Sequence, residues 1–234
     1  MSKIIGIIGA MDSEVEILIN SMGQRKDVEY GKRVFHIGRI NNTDVVLAKC
    51  GVGKVNAAIT VQMMVDKFDI EAIINTGVAG SLDARIDIGD IVLATNAVYH
   101  DVDNLAFGFE RGQVPYMDVF EFPMSEELIS IAEASCKKVN SEVKVFKGRV
   151  ASGDQFISGK EIKKDIKDYF DPLCVEEEGC AMAHTAYVNS IPCLIIRAIS
   201  DKADDSAEMD YPSFEKKAAV HCANMVLEIM KSII

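Results

Sequence analysis

The sequence predicts an α/β fold, a sheet with helices layered on both of its faces, and three observations carry that expectation. Continuous apolar runs of strand length recur along the chain, and amphipathic segments with helical spacing lie between them. One further stretch alternates polar and apolar residues around a turn, which adds an antiparallel hairpin and makes the sheet mixed.

In chain order, "IIGIIG" (4–9) is apolar throughout and reads as a strand buried on both faces. A helix is expected over 13–22, where Ser13 and Glu16 have the S-x-x-E form of a capping box. "EYGKRVFHIGRINNTDVVLAKC" supplies the hairpin, with Asn41-Asn42-Thr43 at its turn and "DVVLAKC" (44–50) as a further strand. "GVGKVN" (51–56) lacks the third glycine of a dinucleotide fingerprint and the spacing of a P-loop, so it reads as a tight strand-to-helix turn. The helix it opens spans 53–67. "AIINTG" (72–77) reads as a strand ending in a Gly-rich turn, and "DIVLATNAV" (90–98) as another strand. Residues 99–124 are irregular and aromatic, with four Phe and two Tyr; such a loop is expected to cover a ligand or pack on a partner chain. Helices are expected at 125–139, 160–169, 178–189 and 212–232, with the strand "CLIIRAIS" (193–200) before the last.

The 234 residues fit one domain, 1–234, with no repeat, low-complexity tract or linker. The net charge of −11 disfavours nucleic-acid and anionic-membrane partners and suits a neutral or cationic small ligand. Six scattered cysteines without a C-x-x-C, and four histidines in no pattern around them, argue for buried reduced thiols rather than zinc or a catalytic thiol. The N-terminal apolar run is too short for a signal peptide, and no stretch reaches the ~18 apolar residues of a membrane span, so the cytoplasm is the expected compartment.

Ligands of α/β sheets bind beyond the carboxyl ends of strands. The polar residues expected there are Glu14, in a first helical turn; Ser200 and Asp201, at a strand end; the triplet Glu176-Glu177-Glu178, at a strand-to-helix junction; and the turn "SGDQFISG" (152–159) with Phe156. Each also has a structural reading: an acid in a first turn suits the helix macrodipole, Asp201 could cap the next segment, and the triplet could open a solvated helix. Arg197 is harder to dismiss, because Arg inside "LIIRAI" needs a carboxylate partner.

The segments "IGIIGAMDSEV", "GVGKVNAA", "INTGVAGSL", "GDIVLAT", "YHDVD", "AFGFERGQVP", "SGDQFISG", "VEEEGCAMAH" and "RAISDKAD", in this order and spacing, resemble a bacterial 5'-methylthioadenosine/S-adenosylhomocysteine nucleosidase. The resemblance runs from residue 3 to the C-terminal helix. It implies the nucleoside phosphorylase fold, a three-layer α/β/α sandwich around a mixed, partly barrel-like sheet, and a homodimer. The implied reaction is hydrolysis of an N-ribosidic bond, in methionine salvage, with water as co-substrate and no metal or organic cofactor.

The resemblance further implies residue roles. Asp201, oriented by Ser200, would protonate the departing adenine, and Glu14 would hold and deprotonate the water, with Arg197 nearby. Mutual repulsion among these acids is expected to raise the Asp201 pKa. Glu178 would accept the ribose hydroxyls, Phe156 would stack on adenine, the Ile157 backbone would read the purine edge, and Met11 would line the sugar pocket. Phe107 and Pro115 would reach the neighbouring subunit's site. Two positions depart from the family: Glu177 stands where Met usually packs on the ribose, and Val78 where Ser helps to hold the water. Rival readings are a purine nucleoside phosphorylase or futalosine-type nucleosidase of the same fold, and a non-catalytic nucleoside-binding protein.

Overall fold

The structure, a computed structural model, describes residues 3–233. Its strands are β1 (Ile4–Gly9), β2 (Gly23–Tyr30), β3 (Arg33–Ile40), β4 (Thr43–Lys49), β5 (Ala72–Ser81), β6 (Ile91–Tyr99), β7 (Phe122–Pro123), β8 (Val145–Ser152), β9 (Cys174–Glu176) and β10 (Cys193–Asp201). Its helices are α1 (Asp12–Asn20), α2 (Lys54–Phe68), α3 (Glu126–Val139), α4 (Lys160–Phe170), α5 (Gly179–Val188) and α6 (Ala207–Ile229).

One mixed sheet takes all ten strands, and part of it closes on itself. β5 pairs with β10 in parallel and with β9 in antiparallel fashion, while β9, β8, β6 and β10 are neighbours in that order, which completes a five-stranded ring. From β5 the sheet continues outward through β1, β4, β3 and β2, the last three as an antiparallel meander. Within the ring no strand has a free edge, and β5 and β10 are buried along their whole length and carry apolar side chains towards both faces. α6 packs on β5, β10, α1 and α3, while α2 and α5 pack on each other. The α/β class, the mixed sheet and the barrel-like closure all agree with the sequence expectation.

Four local expectations are corrected. The capping box at Ser13 is not formed: Ser13 lies inside α1, Met11 is the N-cap, and the Ser13 hydroxyl donates instead to Glu215 of α6. The Gly-rich turn after residue 77 is not a turn, because β5 runs on to Ser81. Its glycines answer to neighbours rather than to chain reversal: a Cβ at Gly77 would lie 2.5 Å from Glu14 Oε1, and one at Gly80 2.8 Å from Asp201 Oδ1. α6 starts at Ala207 rather than 212, with Pro212 inside its second turn. Finally, β2, β7 and β8 were not anticipated. β2 is an exposed, polar edge strand, and Lys147, Gly148 and Arg149 interrupt the apolar pattern of β8.

Candidate active site

Two helix starts and two strand ends build the site. At the first, β1 runs into α1 and Glu14 sits in the opening turn, where helical N–H groups lack intrahelical acceptors. Its Oε2 accepts from the N–H groups of Ala10 (2.6 Å) and Met11 (3.0 Å), and its Oε1 from Val78 N–H across on β5 (3.1 Å). Burial still outweighs these bonds and the nearby Arg197 charge, and pushes the carboxyl above its ordinary pKa.

The second helix start separates the three glutamates. Glu176, the last residue of β9, turns inward: its Oε2 accepts from the N–H groups of Glu178 (3.1 Å) and Gly179 (2.7 Å), capping α5, and it also binds the Ser152 hydroxyl and the Arg197 guanidinium. Burial opposes its ionisation, but the Arg197 charge and these bonds prevail and hold its carboxyl below the usual range. This is the partner that Arg197 required. Glu178 Oε1 accepts from Gly53 N–H at 2.8 Å, and its Oε2 stands 4.0 Å from Arg197 Nη2. Burial, then repulsion from Glu176, pushes its pKa up to about 8. Glu177 is half-buried and faces the same cavity. Burial and then the charges of Glu176 and Asp154 raise its carboxyl.

The strand ends supply the remaining acid. Along β10, Arg197 pairs with Gly77 of β5 and Asp201 with Gly80, with Ser200 as the extra residue of a bulge. Asp201 Oδ2 accepts from the Ser200 hydroxyl (2.9 Å) and Oδ1 from Ala203 N–H (2.7 Å). Its pKa is raised, first by burial and in small part by Asp204 and Asp210, so the expected repulsion from Glu14 is not the cause.

These groups share one cavity. Met11, Glu14, Val78, Phe156, Ile157, Glu177, Glu178, Ser200 and Asp201 line it, together with Glu176, Val52, Gln155 and Tyr211. Arg197 is fully buried behind the wall, bound to Glu176 and to Asn75 Oδ1 (2.5 Å), and does not line the cavity. Phe107 and Pro115 also lie off it; Phe107 is 80% exposed in a short 3₁₀ turn over Leu105–Phe107. Among the described residues that line the cavity, none is Lys, Arg or His, and no acid–histidine–cysteine group could hold a metal ion. The six cysteines are buried and unpaired, and burial pushes Cys50 up to about 12.

Sequence reasoning missed Gly53, Ser152 and Tyr211. Gly53 is the residue whose N–H meets Glu178, and its φ of 97° was foreshadowed by the tight "GVGKVN" turn. Tyr211 packs edge-on to Phe156 (centroids 5.6 Å apart, planes at 77°) and its hydroxyl donates to Met11 Sδ at 3.1 Å. No local pattern marks Tyr211, because α6 brings it to the cavity from the far end of the chain.

The family model described as "Phosphorylase superfamily" matches residues 4–231. The chain belongs to the phosphorylase superfamily. Within this superfamily, a 5'-methylthioadenosine/S-adenosylhomocysteine nucleosidase of Staphylococcus aureus (strain JH9) is 39% identical over 230 residues, 98% of this chain and all of the relative. The crystal structure of the nucleosidase of the same name from Neisseria meningitidis, in complex with methylthio-immucillin-A, superposes with a TM-score of 0.95 at 37% identity, covering 98% of this chain and 99% of that one. A futalosine hydrolase of Helicobacter pylori has the same superfamily fold, with a TM-score of 0.94 at 32% identity and 99% of both chains covered.

Proposed function

We propose that this chain hydrolyses the N-ribosidic bond of 5'-methylthioadenosine and S-adenosylhomocysteine, releasing adenine and the 5-thioribose product. One observation carries the reading: Glu14, Glu178 and Asp201, from three distant parts of the chain, line a single cavity that has no basic residue on its wall among those described. The activity in the name of the Staphylococcus relative and the methylthio-immucillin-A bound by the Neisseria relative support it.

The chemistry follows from the environments. Breaking the bond leaves a cation-like ribosyl group and an electron-rich purine. Asp201, whose carboxyl burial pushes above its ordinary pKa, is the acid that gives a proton to the departing base, with Ser200 and Ala203 N–H fixing the two carboxyl oxygens. Glu14 takes the proton of the attacking water; burial raises its carboxyl above the ordinary range, which makes it a stronger base than an exposed glutamate. Glu178, turned into the cavity by Gly53 N–H, accepts the ribose hydroxyls; with its pKa at about 8, it stabilises the positive sugar in its ionised form, which the developing positive charge itself favours. Phe156 and Ile157 flank the base, and Met11 the sugar. Val78 offers no hydroxyl to the water but binds Glu14 through its N–H, which leaves Glu14 as the water's holder.

Phosphorolysis is disfavoured, since phosphate beside Glu14 would be repelled and Arg197 is committed to Glu176. A futalosine-type substrate is the second reading, favoured by the fold match to the Helicobacter hydrolase. The reading includes a homodimer, supported by the exposed Phe107, Leu105 and Tyr116 of the aromatic loop and Val55 and Ile59 of α2, with Phe107 and Pro115 entering the neighbour's cavity. Among the described residues no helix is long and apolar enough to cross a membrane, and a cytoplasmic location belongs to the same reading.

The test is a panel of methylthioadenosine, adenosylhomocysteine, 5'-deoxyadenosine and a futalosine-type nucleoside, with and without phosphate, with products separated by chromatography. Adenine and free thioribose are expected in both conditions. A ribose 1-phosphate product would refute hydrolysis, and binding without adenine release would refute catalysis. Asp201→Asn is expected to lower kcat by at least ~10²-fold while the circular dichroism spectrum stays parental.

A further inference from the structure

We propose that Asp154 is a positioning residue for the base-side wall of the cavity, tying the loop that carries Gln155, Phe156 and Ile157 to the turn that holds Glu178. The inference rests on the reading of this cavity as an adenine nucleoside site. It starts from two consecutive N–H groups at the start of α2. Gly53 N–H donates to Glu178 Oε1 at 2.8 Å, and Lys54 N–H donates to Asp154 Oδ1 at 2.8 Å. Both carboxylates sit at a helix N-terminus, where the free N–H groups and the macrodipole favour negative charge. The turn must be glycine for this approach: at φ 97° a Cβ would be strained and would lie 3.1 Å from Asp154 Oδ1.

The same loop is gripped from its other side. Asp154 N–H donates to Asp101 Oδ2 at 2.9 Å, and that oxygen also accepts Lys54 Nζ at 2.5 Å. The Lys54 ammonium lies 3.7 Å from Asp154 Oδ2 and 5.5 Å from the centre of the Tyr99 ring. Lys54 therefore reaches Asp154 in three ways: through its backbone N–H, directly with its ammonium, and through Asp101 with that same ammonium. Around it, Gly153 N–H donates to Glu176 O (3.1 Å) and Gln155 N–H to Gly153 O (2.8 Å). Phe156, two residues on, is 48% exposed and meets Tyr211 edge-on, so its position depends on the loop that carries it. One turn thus sets the spacing between the sugar-side carboxylate and the base-side aromatic.

A half-exposed ion pair contributes little to stability, and the Asp154 side chain is 52% exposed, so its replacement is expected to change geometry more than folding. The experiment measures the adenine dissociation constant, KM and kcat for methylthioadenosine, and Tm, in the parent and in Asp154→Ala, Asp154→Glu and Asp154→Asn. Ala removes the acceptor and Glu keeps the charge but misplaces it; both are expected to weaken adenine binding and raise KM by ~10-fold, with kcat changed by less than ~3-fold. Asn keeps an oxygen for Lys54 N–H and is expected to stay within ~3-fold of the parent. Parental adenine affinity in the Ala variant overturns the proposal, as does an Asn variant as weak as Ala. Should the Ala variant fail to fold, the Glu and Asn pair decides by the same criteria. A parent chain that does not bind adenine removes the site reading itself, and the proposal with it.

Discussion

Glu176 accepts two helical N–H groups and the Arg197 guanidinium, while Glu178, two residues on, has one N–H bond and faces a cavity lined by other acids. The same side chain is therefore held ionised at one position and pushed up to about 8 at the other. The second shift has a thermodynamic consequence. The folded chain keeps a proton on Glu178 that the unfolded chain, with an ordinary carboxyl near 4.5, has already lost. Folding stability contributed by this group thus falls as pH rises through that window, and the full cost is present above the folded pKa. Glu178→Gln removes the titration while keeping an oxygen for Gly53 N–H. Its Tm relative to the parent is expected to climb as pH goes from about 5 to about 8. A difference in Tm that does not vary with pH would contradict the assignment of the shift to Glu178.

β5 and β10 show how strands make room for such groups. Gly77 and Gly80 are three residues apart, about 10 Å along a strand, and each leaves space for a carboxylate, Glu14 at one and Asp201 at the other. The bulge at Ser200 sets Asp201 opposite Gly80. Gly77→Ala would thrust a methyl to within 2.5 Å of Glu14 Oε1 and 2.8 Å of Arg197 Nη1. We expect it to cost about 1–3 kcal/mol of stability and to lower kcat by ~10²-fold, read by thermal melts and steady-state kinetics. Gly23→Ala on β2, whose nearest neighbour atom would be 3.9 Å away, is the control and should leave both near parental values. Equal effects at the two glycines would mean that the loss at Gly77 has nothing to do with Glu14.

For the whole molecule, ring closure brings the ends of β5, β8, β9 and β10 together, so that acids far apart in sequence converge. The outer surface carries a second message. Val52, Val55 and Ile59 recur at helical spacing around the start of α2 and are exposed, as are Leu105, Phe107 and Tyr116. We expect the parent to run as a dimer in light scattering. The double variant Val55→Glu, Ile59→Glu should run at half the mass, with KM raised at least ~10-fold as the neighbour's Phe107 and Pro115 withdraw. A monomeric parent with full activity would sink this expectation.

What the sequence determined by itself was local and chemical. The apolar runs marked most strands buried on both faces, the 3.6-residue spacing marked the helices, and an Arg among Leu and Ile demanded a carboxylate, since an unpaired buried charge is too costly. The tertiary structure alone decided which carboxylate that was. It made Glu176 the partner and left Glu178 for the cavity, although the two are chemically identical. It turned an apparent glycine turn at 77–81 into a strand, because the reason for those glycines is the approach of Glu14 and Asp201 from elsewhere in the chain. It also brought in Tyr211 and the N–H of Gly53. Burial and hydrogen-bond partners arise from contacts between distant segments, so the residue types were legible in one dimension and their ionisation was not.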